Sequence, residues 1–163
     1  MITVAFDPET HDRVSFDCGI VEINSFLRQR ARQFTKKGLA TCWILEGDTE
    51  SDVSGFYTLS ATSVTAEVAK VAVTRGLPSE IPIPAVLIGQ LAVDQRFQGQ
   101  GKGSLLLIDA LKRSKELGLG WAVVVVDAFD EKAAQWYETF GFIRISSKPT
   151  RLIIPRITVE KLP

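Results

Sequence analysis

The chain has 163 residues, 45% of them hydrophobic, which is enough to bury the core of one compact domain, and we predict a single domain over residues 1–163. Lysine and arginine together number 19, as do aspartate and glutamate, so no strong overall field draws the protein to nucleic acid or membrane. Two cysteines and one histidine are too few for the usual metal sites. The N-terminus lacks the pattern of a secretory signal and every apolar run is too short to cross a bilayer, which favours a cytoplasmic protein without a bound metal.

The N-terminal half combines one amphipathic helix with a β-hairpin. The segment VEINSFLRQRARQFTKKG repeats apolar residues at three-to-four spacing, which predicts a helix over residues 21–38 with Asn24 as its cap and Gly38 at its end. Two β-rich runs, ATCWILEG and VSGFYTLSAT, flank a polar turn and predict the hairpin. Residues 64–73 fit a helix or a strand, and the prolines of residues 76–84 indicate a linker. His11 lies in a polar stretch and is expected at the surface or in a turn.

The C-terminal half alternates strands and helices. AVLIGQLAVD is apolar almost throughout, as expected of a strand buried on both faces, and WAVVVVDA has the same character. SLLLIDALKRSKELG and DEKAAQWYETFG predict helices that end near Gly118 and Gly141. LIIPRITVEKL predicts a last strand in which Pro155 requires an edge position or a bulge. This order of elements predicts a mixed α/β sheet.

A glycine-rich loop, QGQGKGS at residues 98–104, joins AVLIGQLAVD to the next helix. A P-loop needs lysine directly before serine or threonine, and here Gly103 separates Lys102 from Ser104. A dinucleotide fingerprint needs two residues between its last glycines, and only one separates Gly101 from Gly103. Alternating glycines before a helix still suit a pyrophosphate, with backbone N–H donors at Gln100, Gly101, Gly103 and Ser104. The alternative is a turn whose glycines only meet backbone constraints.

The same loop resembles the Q/R-x-x-G-x-G/A loop of the GNAT superfamily of acetyl-CoA-dependent N-acetyltransferases, with Gln98, Gly101 and Gly103 at its defining positions. The run AAQWYETFGF is similar to the family motif in which a helical tyrosine precedes F-G-F by two residues, and Tyr137 matches that catalytic tyrosine. The resemblance implies the α/β (α+β) GNAT fold, with a mixed, mostly antiparallel sheet splayed at its centre and helices on both faces. It also implies acetyl-CoA as cofactor, bound by Leu91, Ala92, Val93, Gln98, Gly99, Gln100, Gly101, Lys102, Gly103, Ser104, Ala133 and Phe140.

Residues 5 to 155 resemble one subgroup of that superfamily, carried by segments such as FDCGIVEINSFLRQRARQFTKKGLATCWIL and IGQLAVDQRFQGQGKGSLLLIDAL. This subgroup comprises the GNAT toxins of bacterial toxin–antitoxin pairs, which acetylate the amino group of aminoacyl-tRNA and stop translation. The resemblance implies a ribbon-helix-helix antitoxin as partner and a toxin homodimer. The zero net charge and the C-terminal IIPRITVEKLP depart from the subgroup pattern.

The chemistry that the resemblance implies is acyl transfer from a thioester to an amine. A free α-amino group has a pKa of about 7.7–8.0, so it needs no strong base, and none is evident in the sequence. Tyr137 would act as the general acid toward the departing sulfur, and the amide near Val93 would polarise the thioester oxygen. Cys18 and Cys42 have no histidine nearby in sequence, and we interpret them as free structural thiols.

The stretch RQRARQFTKK carries five positive charges and no acid, and such a helix face could bind RNA phosphates. The candidates for substrate binding are Arg28, Arg32, Lys36, Arg75 and Arg96, and Lys102, Arg113, Arg144, Lys148, Arg151 and Arg156 could extend the surface. The alternative is an ordinary solvated face. Two other functions also stay open: acetylation of a small amine or a protein N-terminus, and a non-catalytic module that only binds acetyl-CoA.

Overall fold

The computed structural model describes residues 1–73 and 76–163, and within them seven strands form one sheet in the order β1-β2-β3-β4-β5-β7-β6. The strands are β1 (Val4–Ala5), β2 (Thr41–Glu46), β3 (Val53–Val64), β4 (Ile83–Val93), β5 (Val123–Asp127), β6 (Ile143–Ile145) and β7 (Lys148–Pro155). The helices are α1 (Val21–Ser25), α2 (Ala31–Lys36), α3 (Ala66–Ala69), α4 (Lys102–Lys115), α5 (Glu131–Glu138) and α6 (Arg156–Glu160). β4 pairs with β5 in parallel, whereas β1 with β2, β2 with β3, β5 with β7 and β6 with β7 are antiparallel. The predicted mixed, mostly antiparallel sheet with helices is confirmed.

The chain divides into two compact units. The first unit comprises Met1–Ser60 and Gly89–Arg113, and the second comprises Ala61–Ile88 and Ser114–Pro163. The assignment of residues 1–163 to a single domain stays a prediction.

The first unit has its core on β2 and β3. The hairpin register sets Cys42 opposite Thr58 and Ile44 opposite Phe56, and alternate residues of each strand turn their side chains to the core. Leu27 and Phe16 complete this core from outside the sheet. Full burial of each such apolar side chain stabilises the fold by roughly 1.5–3 kcal/mol, so the predicted hairpin and helix are held by tertiary packing.

A helical segment runs through α1, a π-helical turn (Phe26–Arg30) and α2, where the sequence predicts one helix. In the π-helical turn the Ala31 N–H donates to the Phe26 carbonyl oxygen. Gly38, at φ +72°, follows the last turn as predicted. The prediction of Asn24 as cap is wrong, because Ile20 occupies the cap position and Asn24 lies inside α1. The Asn24 side chain instead accepts a hydrogen bond from the Cys18 N–H at 2.9 Å.

A buried polar network fastens the N-terminus to α4. The carboxylate of Asp109 accepts hydrogen bonds from the Ile2 N–H, the Thr3 hydroxyl and the Tyr57 hydroxyl. Arg113 donates from Nε to the Tyr57 hydroxyl at 2.9 Å. Burial by itself would raise the pKa of Asp109, but these hydrogen bonds outweigh it and lower the pKa. No local pattern in the sequence indicates this network, because it joins residues more than a hundred positions apart.

The second unit has its core on β5. Val123 to Val126 are fully buried and pair with Ala85 to Ile88 of β4 on one side and with β7 on the other. The ambiguous residues 64–73 form the end of β3 and then α3. β4 begins at Ile83 and includes Pro84, so the linker prediction of residues 76–84 extends too far.

The C-terminal end departs from the prediction. The strand ends at Pro155, and α6 begins at Arg156, where continued β-structure was expected. Pro155 is the N-cap of α6 at φ −76°, and the first turn of a helix does not require the N–H that proline lacks. β6 was not predicted, because three residues are too few to establish an alternating pattern.

His11 closes a turn by donating its N–H to the Asp7 carbonyl oxygen, but it is not at the surface. Its side chain is buried, and Nδ1 accepts a hydrogen bond from the Asp7 N–H at 2.9 Å. Burial lowers the pKa of His11, so the ring is held neutral. No helix in the described part of the chain is long and apolar enough to span a membrane. Nor do three or more His, Cys, Asp or Glu side chains group to hold a metal within residues 1–73 and 76–163.

Candidate active site

The glycine-rich loop lies in the first unit, between β4 and α4. A 3-10 turn, Gln95–Phe97, leads from the end of β4 into the loop, and α4 begins at Lys102. Gly99 and Gly101 have φ values of +76° and +78°, where any other L-residue is strained. Gly103 does not have a positive φ, so its place in the motif is not explained by this backbone requirement. The loop thus needs glycine at two of its three alternating positions.

The loop presents a row of free backbone donors. The first amide engaged at the start of α4 is that of Leu105, which donates to the Gly101 carbonyl oxygen at 3.2 Å. The six amides of residues 99–104 donate to no acceptor in the part of the chain that the structure describes. They include the four predicted donors, and those of residues 102–104 form the first turn of a 14-residue helix whose dipole favours negative charge at this end. This arrangement suits a phosphate or pyrophosphate.

The side chains of Gln98 and Lys102 in the loop make different contacts. Gln98 donates from Nε2 to the Val93 carbonyl oxygen at 2.9 Å and to the Cys18 carbonyl oxygen at 3.1 Å. Its side chain therefore closes the 3-10 turn rather than pointing to a ligand. Lys102 places Nζ 5.1 Å from the centre of the Phe97 ring, and the residue as a whole is partly exposed.

The last residues of β4 offer backbone groups at an open strand edge. The parallel register with β5 ends at Ile88 and Val126, whereas β4 continues to Val93. Gln90 donates its N–H to the Thr58 hydroxyl, and Asp94 donates its N–H to the Ser54 carbonyl oxygen, so both face β3. Because backbone groups alternate between the two edges of a strand, those of Leu91 and Val93 face the opposite edge, where Gln98 already occupies the Val93 carbonyl oxygen. At this edge the resemblance to the GNAT superfamily predicts that Leu91 and Val93 bind acetyl-CoA.

The tyrosine helix, α5, belongs to the second unit. Asp130 caps it by accepting a hydrogen bond from the Ala133 N–H at 2.8 Å. The Tyr137 ring is 8% exposed and contacts the rings of Phe142 and Trp136, with centroids 5.5 and 5.0 Å away. Burial raises the pKa of Tyr137 above its usual value of 10, so the phenol keeps its proton at neutral pH.

The hydroxyl of Tyr137 makes no hydrogen bond to any residue that the structure describes. No fully buried side-chain oxygen or nitrogen among those residues lacks a partner, so this hydroxyl oxygen keeps contact with solvent. The chain has one other tyrosine, Tyr57, whose hydroxyl is engaged by Asp109 and Arg113. Tyr137 is therefore the tyrosine that can offer a proton to a ligand.

Other groups near Tyr137 in sequence are already engaged. Glu138 and Glu131 both bind Arg144, at 2.8 Å each, so neither carboxylate is free to act as a base. The Ala133 N–H is bound to Asp130, and the Phe140 ring stacks edge-on against Trp136. The cofactor-binding roles of Ala133 and Phe140 stay predictions.

The two cysteines are free and buried, as interpreted from the sequence. Burial raises the pKa of Cys42 to about 12 and raises the pKa of Cys18 as well. Neither thiol forms the thiolate that a nucleophile requires at neutral pH.

The basic face, which we define as Arg28, Arg32 and Lys36, is exposed on the helical segment. Arg28 donates to the Val14 carbonyl oxygen at 3.3 Å, and Arg32 lies 3.8 Å from a carboxylate oxygen of Glu9 at an exposed position. These charges are thus barely compensated by neighbouring acids. Arg96 differs, because Asp52 and Asp94 hold it at 2.7 and 3.0 Å. Arg75, the remaining candidate, lies outside the described residues.

Most of the cations expected to extend the basic face are neutralised. Arg113 is paired with Asp109, Arg144 with Glu131 and Glu138, and Arg151 with Asp127. Arg156 is held by Glu160, and Lys148 lies 3.8 Å from Asp127. The expectation of a wide basic surface is not met through the four arginines, whereas Lys148, like Arg32, is only 3.8 Å from an acid at an exposed position. Arg28 and Lys36 of the basic face form no ion pair with any residue that the structure describes.

Replacing Gly101 with alanine is expected to weaken acetyl-CoA binding about tenfold, because a non-glycine residue at φ +78° costs about 1–2 kcal/mol. The added methyl group meets nothing within 4 Å, so a changed backbone path is the expected cause. Titration calorimetry with acetyl-CoA measures the effect. Gly38→Ala is the matched control, since Gly38 has φ +72° with nothing within 4 Å, and it should bind acetyl-CoA like the unaltered protein. Equal affinities in all three proteins would contradict the assignment of the loop.

Comparison with known proteins places these features in context. Residues 38–144 match the model of the acetyltransferase (GNAT) domain family. The probable toxin TacT of Sinorhizobium fredii is 31% identical over 165 residues, covering 96% of this chain and 91% of that protein. The tRNA-acetylating toxin of Mycobacterium tuberculosis is 32% identical over 148 residues, covering 90% and 87%.

Two solved structures have the same fold. AtaT complexed with acetyl-methionyl-tRNAfMet superposes with a TM-score of 0.83 at 28% identity, covering 97% of this chain and 96% of that one. A tyrosine-to-phenylalanine mutant of the AtaT toxin, bound to the C-terminus of the antitoxin AtaR and to acetyl-CoA, gives a TM-score of 0.80 at 26% identity, covering 97% and 94%.

Proposed function

The chain belongs to the GNAT family of acetyltransferases, and from this premise we propose that it is a toxin that transfers the acetyl group of acetyl-CoA to the α-amino group of aminoacyl-tRNA. The observation that carries the proposal is the row of six unpartnered amides at the start of α4. Such a row of donors suits a pyrophosphate group, and coenzyme A contains a pyrophosphate group. Modification of the amino group would stop the aminoacyl-tRNA from serving translation.

Acetyl-CoA supplies the acetyl group as a thioester, and the protein supplies binding groups and a proton. We assign the pyrophosphate to the amides of residues 99–104, and the pantetheine arm to the backbone groups of Leu91 and the N–H of Val93, whose carbonyl oxygen is held by Gln98. The amide near Val93 polarises the thioester oxygen. Tyr137 keeps a proton on its hydroxyl at neutral pH and delivers it to the departing sulfur. The acceptor α-amino group, with a pKa of about 7.7–8.0, needs no strong base.

The assignment of aminoacyl-tRNA as acceptor is supported by the relatives and by the basic face. One relative is a tRNA-acetylating toxin, and another, AtaT, has been solved with acetyl-methionyl-tRNAfMet. Arg28, Arg32 and Lys36 provide exposed positive charge suited to RNA phosphates. Zero net charge does not oppose this, since the total is summed over the whole chain, whereas Arg28, Arg32 and Lys36 lie together on one helical segment.

We also propose an antitoxin partner of the ribbon-helix-helix class, a homodimeric toxin and a cytoplasmic location. The support for a partner is that AtaT binds the C-terminus of its antitoxin AtaR. The antitoxin class, the dimer and the location follow from the resemblance to the toxin subgroup.

The test is incorporation of radiolabelled acetyl from acetyl-CoA into total charged tRNA, with uncharged tRNA as the control. We expect label only with charged tRNA, and sequencing of the labelled RNA would name the target. Labelling of small amines or protein N-termini, with none on charged tRNA, would favour the alternative acceptor. Acetyl-CoA binding without transfer to any amine would favour a non-catalytic module.

A further inference from the structure

A short strap, residues Phe16–Gly19, runs beside the glycine-rich loop within the first unit. The Asp17 N–H donates to the Asp94 carboxylate at 3.0 Å, and the Gln95 N–H donates to the Asp17 carbonyl oxygen at 2.9 Å. Gln98 adds a hydrogen bond to the Cys18 carbonyl oxygen at 3.1 Å. Three hydrogen bonds thus fix the 3-10 turn and the start of the loop against the strap.

The strap itself is fixed from its other side by the helical segment. Asn24 accepts a hydrogen bond from the Cys18 N–H and donates to Asp17 Oδ1, both at 2.9 Å. Asp17 Oδ1 also accepts from the Gly19 N–H at 2.8 Å. The strap is therefore a rigid template rather than a free loop.

Asp94 is the residue through which the strap acts on the loop. Its side chain is almost fully buried, and both oxygens are engaged: Oδ2 by the Asp17 N–H, and Oδ1 by the Arg96 N–H and Nε at 2.9 and 3.0 Å. Its own N–H donates to the Ser54 carbonyl oxygen on β3 at 2.8 Å. One residue thus joins the end of β4, the strap and the turn that opens the loop.

We propose that Asp94 is a positioning residue for acetyl-CoA, which sets the direction of the six free loop amides by fixing the turn before them to the strap. This inference rests on the proposed function. Asp94 itself does not bind the cofactor, because its oxygens are already occupied. Amides that folding has already fixed in the binding orientation bind an anion more tightly than mobile amides. Mobile amides lose conformational entropy when the anion binds, which reduces the binding free energy.

The test compares Asp94→Asn with Asp52→Asn. Both carboxylates bind Arg96, but Asp94 alone also holds the strap. An asparagine at position 94 keeps the shape of the side chain, but its NH₂ group must face one of the present donors, so one set of hydrogen bonds breaks. We expect the Kd for acetyl-CoA to rise about tenfold in Asp94→Asn and to stay within about twofold in Asp52→Asn. The kcat at saturating acetyl-CoA should change little in either variant, which a loss of folded protein would not produce.

Binding of acetyl-CoA to the unaltered protein is measured first, by calorimetry, and its absence would overturn the proposed function rather than only this inference. If the unaltered protein binds, an unchanged Kd in Asp94→Asn overturns the role of Asp94. An equal rise in both variants overturns it as well, because the effect would then come from Arg96. If Asp94→Asn does not fold, Asn24→Ala loosens the strap from the other side. A raised Kd with unchanged kcat in Asn24→Ala supports the proposal, and an unchanged Kd overturns it.

Discussion

Replacing Tyr137 with phenylalanine is expected to lower the rate of acetyl transfer about 100-fold or more, with unchanged folding stability and acetyl-CoA affinity. The substitution removes the proton that we assign to the departing sulfur. It keeps the ring contacts with Phe142 and Trp136, and it breaks no hydrogen bond to a described residue. Single-turnover rates with charged tRNA, thermal denaturation and calorimetry with acetyl-CoA measure the three quantities.

Tyr57→Phe is the matched control for this experiment. The same atom is removed, but here the hydroxyl joins Asp109 to Arg113 in a buried network. We expect its free energy of unfolding to fall by about 1–3 kcal/mol, while the folded fraction keeps its transfer rate. Full activity in Tyr137→Phe, or an equal loss of rate in both variants, would remove the general-acid role from Tyr137.

Reversing the charge of the basic face is the second large change. We expect Arg28→Glu, Arg32→Glu and Lys36→Glu together to weaken tRNA binding about 100-fold, since phosphate contacts dominate the affinity of proteins for nucleic acid. The dependence of binding on salt concentration should flatten, because fewer counterions are released. The Kd for acetyl-CoA should not change. Filter binding of charged tRNA at several salt concentrations measures the effect.

The control carries the same change of net charge at other positions. Lys70, Lys132 and Lys161 are exposed and form no ion pair with any described residue. Their joint replacement by glutamate should reduce tRNA binding far less than reversal of the basic face. Equal losses in both triple variants would mean that overall charge, rather than this surface, governs binding, and no loss in either would make the helix an ordinary solvated face.

Periodicity predicted the elements that obey it over many residues. The helix around Leu27 and Ala31, the hairpin around Ile44 and Phe56, and the buried valines of β5 all show the expected burial. Predictions are wrong mainly where a residue's conformation depends on a partner far away in sequence or on the covalent structure of the residue itself. Pro155 starts a helix because its missing N–H is not needed there. His11 lies in a turn, one of its two predicted settings, but its burial was not predicted, and there the Asp7 N–H donates to its ring.

The residues of the candidate site also differ in how well they could be predicted from local sequence. Gly99 and Gly101 could be identified from sequence, because an alternation of glycines before a helix has a local backbone cause. The assignment of Arg96 to substrate could not be judged, because Asp52 lies 44 residues away in sequence. Asp94 was missed as a functional residue for the same reason, since its partner Asp17 is 77 residues away. The available signal was an aspartate directly between a buried strand and a glycine-rich loop.

The π-helical turn can be regarded as an insertion that the helix absorbs. In an uninterrupted α-helix each residue advances by about 100° around the axis, so Ala31 would lie on a different side from Phe26. The wider turn accommodates one more residue per revolution and returns Ala31 to the buried side, directly above Phe26. The additional residue of the wider turn lies on the solvent side, where Arg28, Gln29 and Arg30 are all exposed. In this chain the wider turn thus presents two arginines to solvent while Phe26, Leu27 and Ala31 stay in the core.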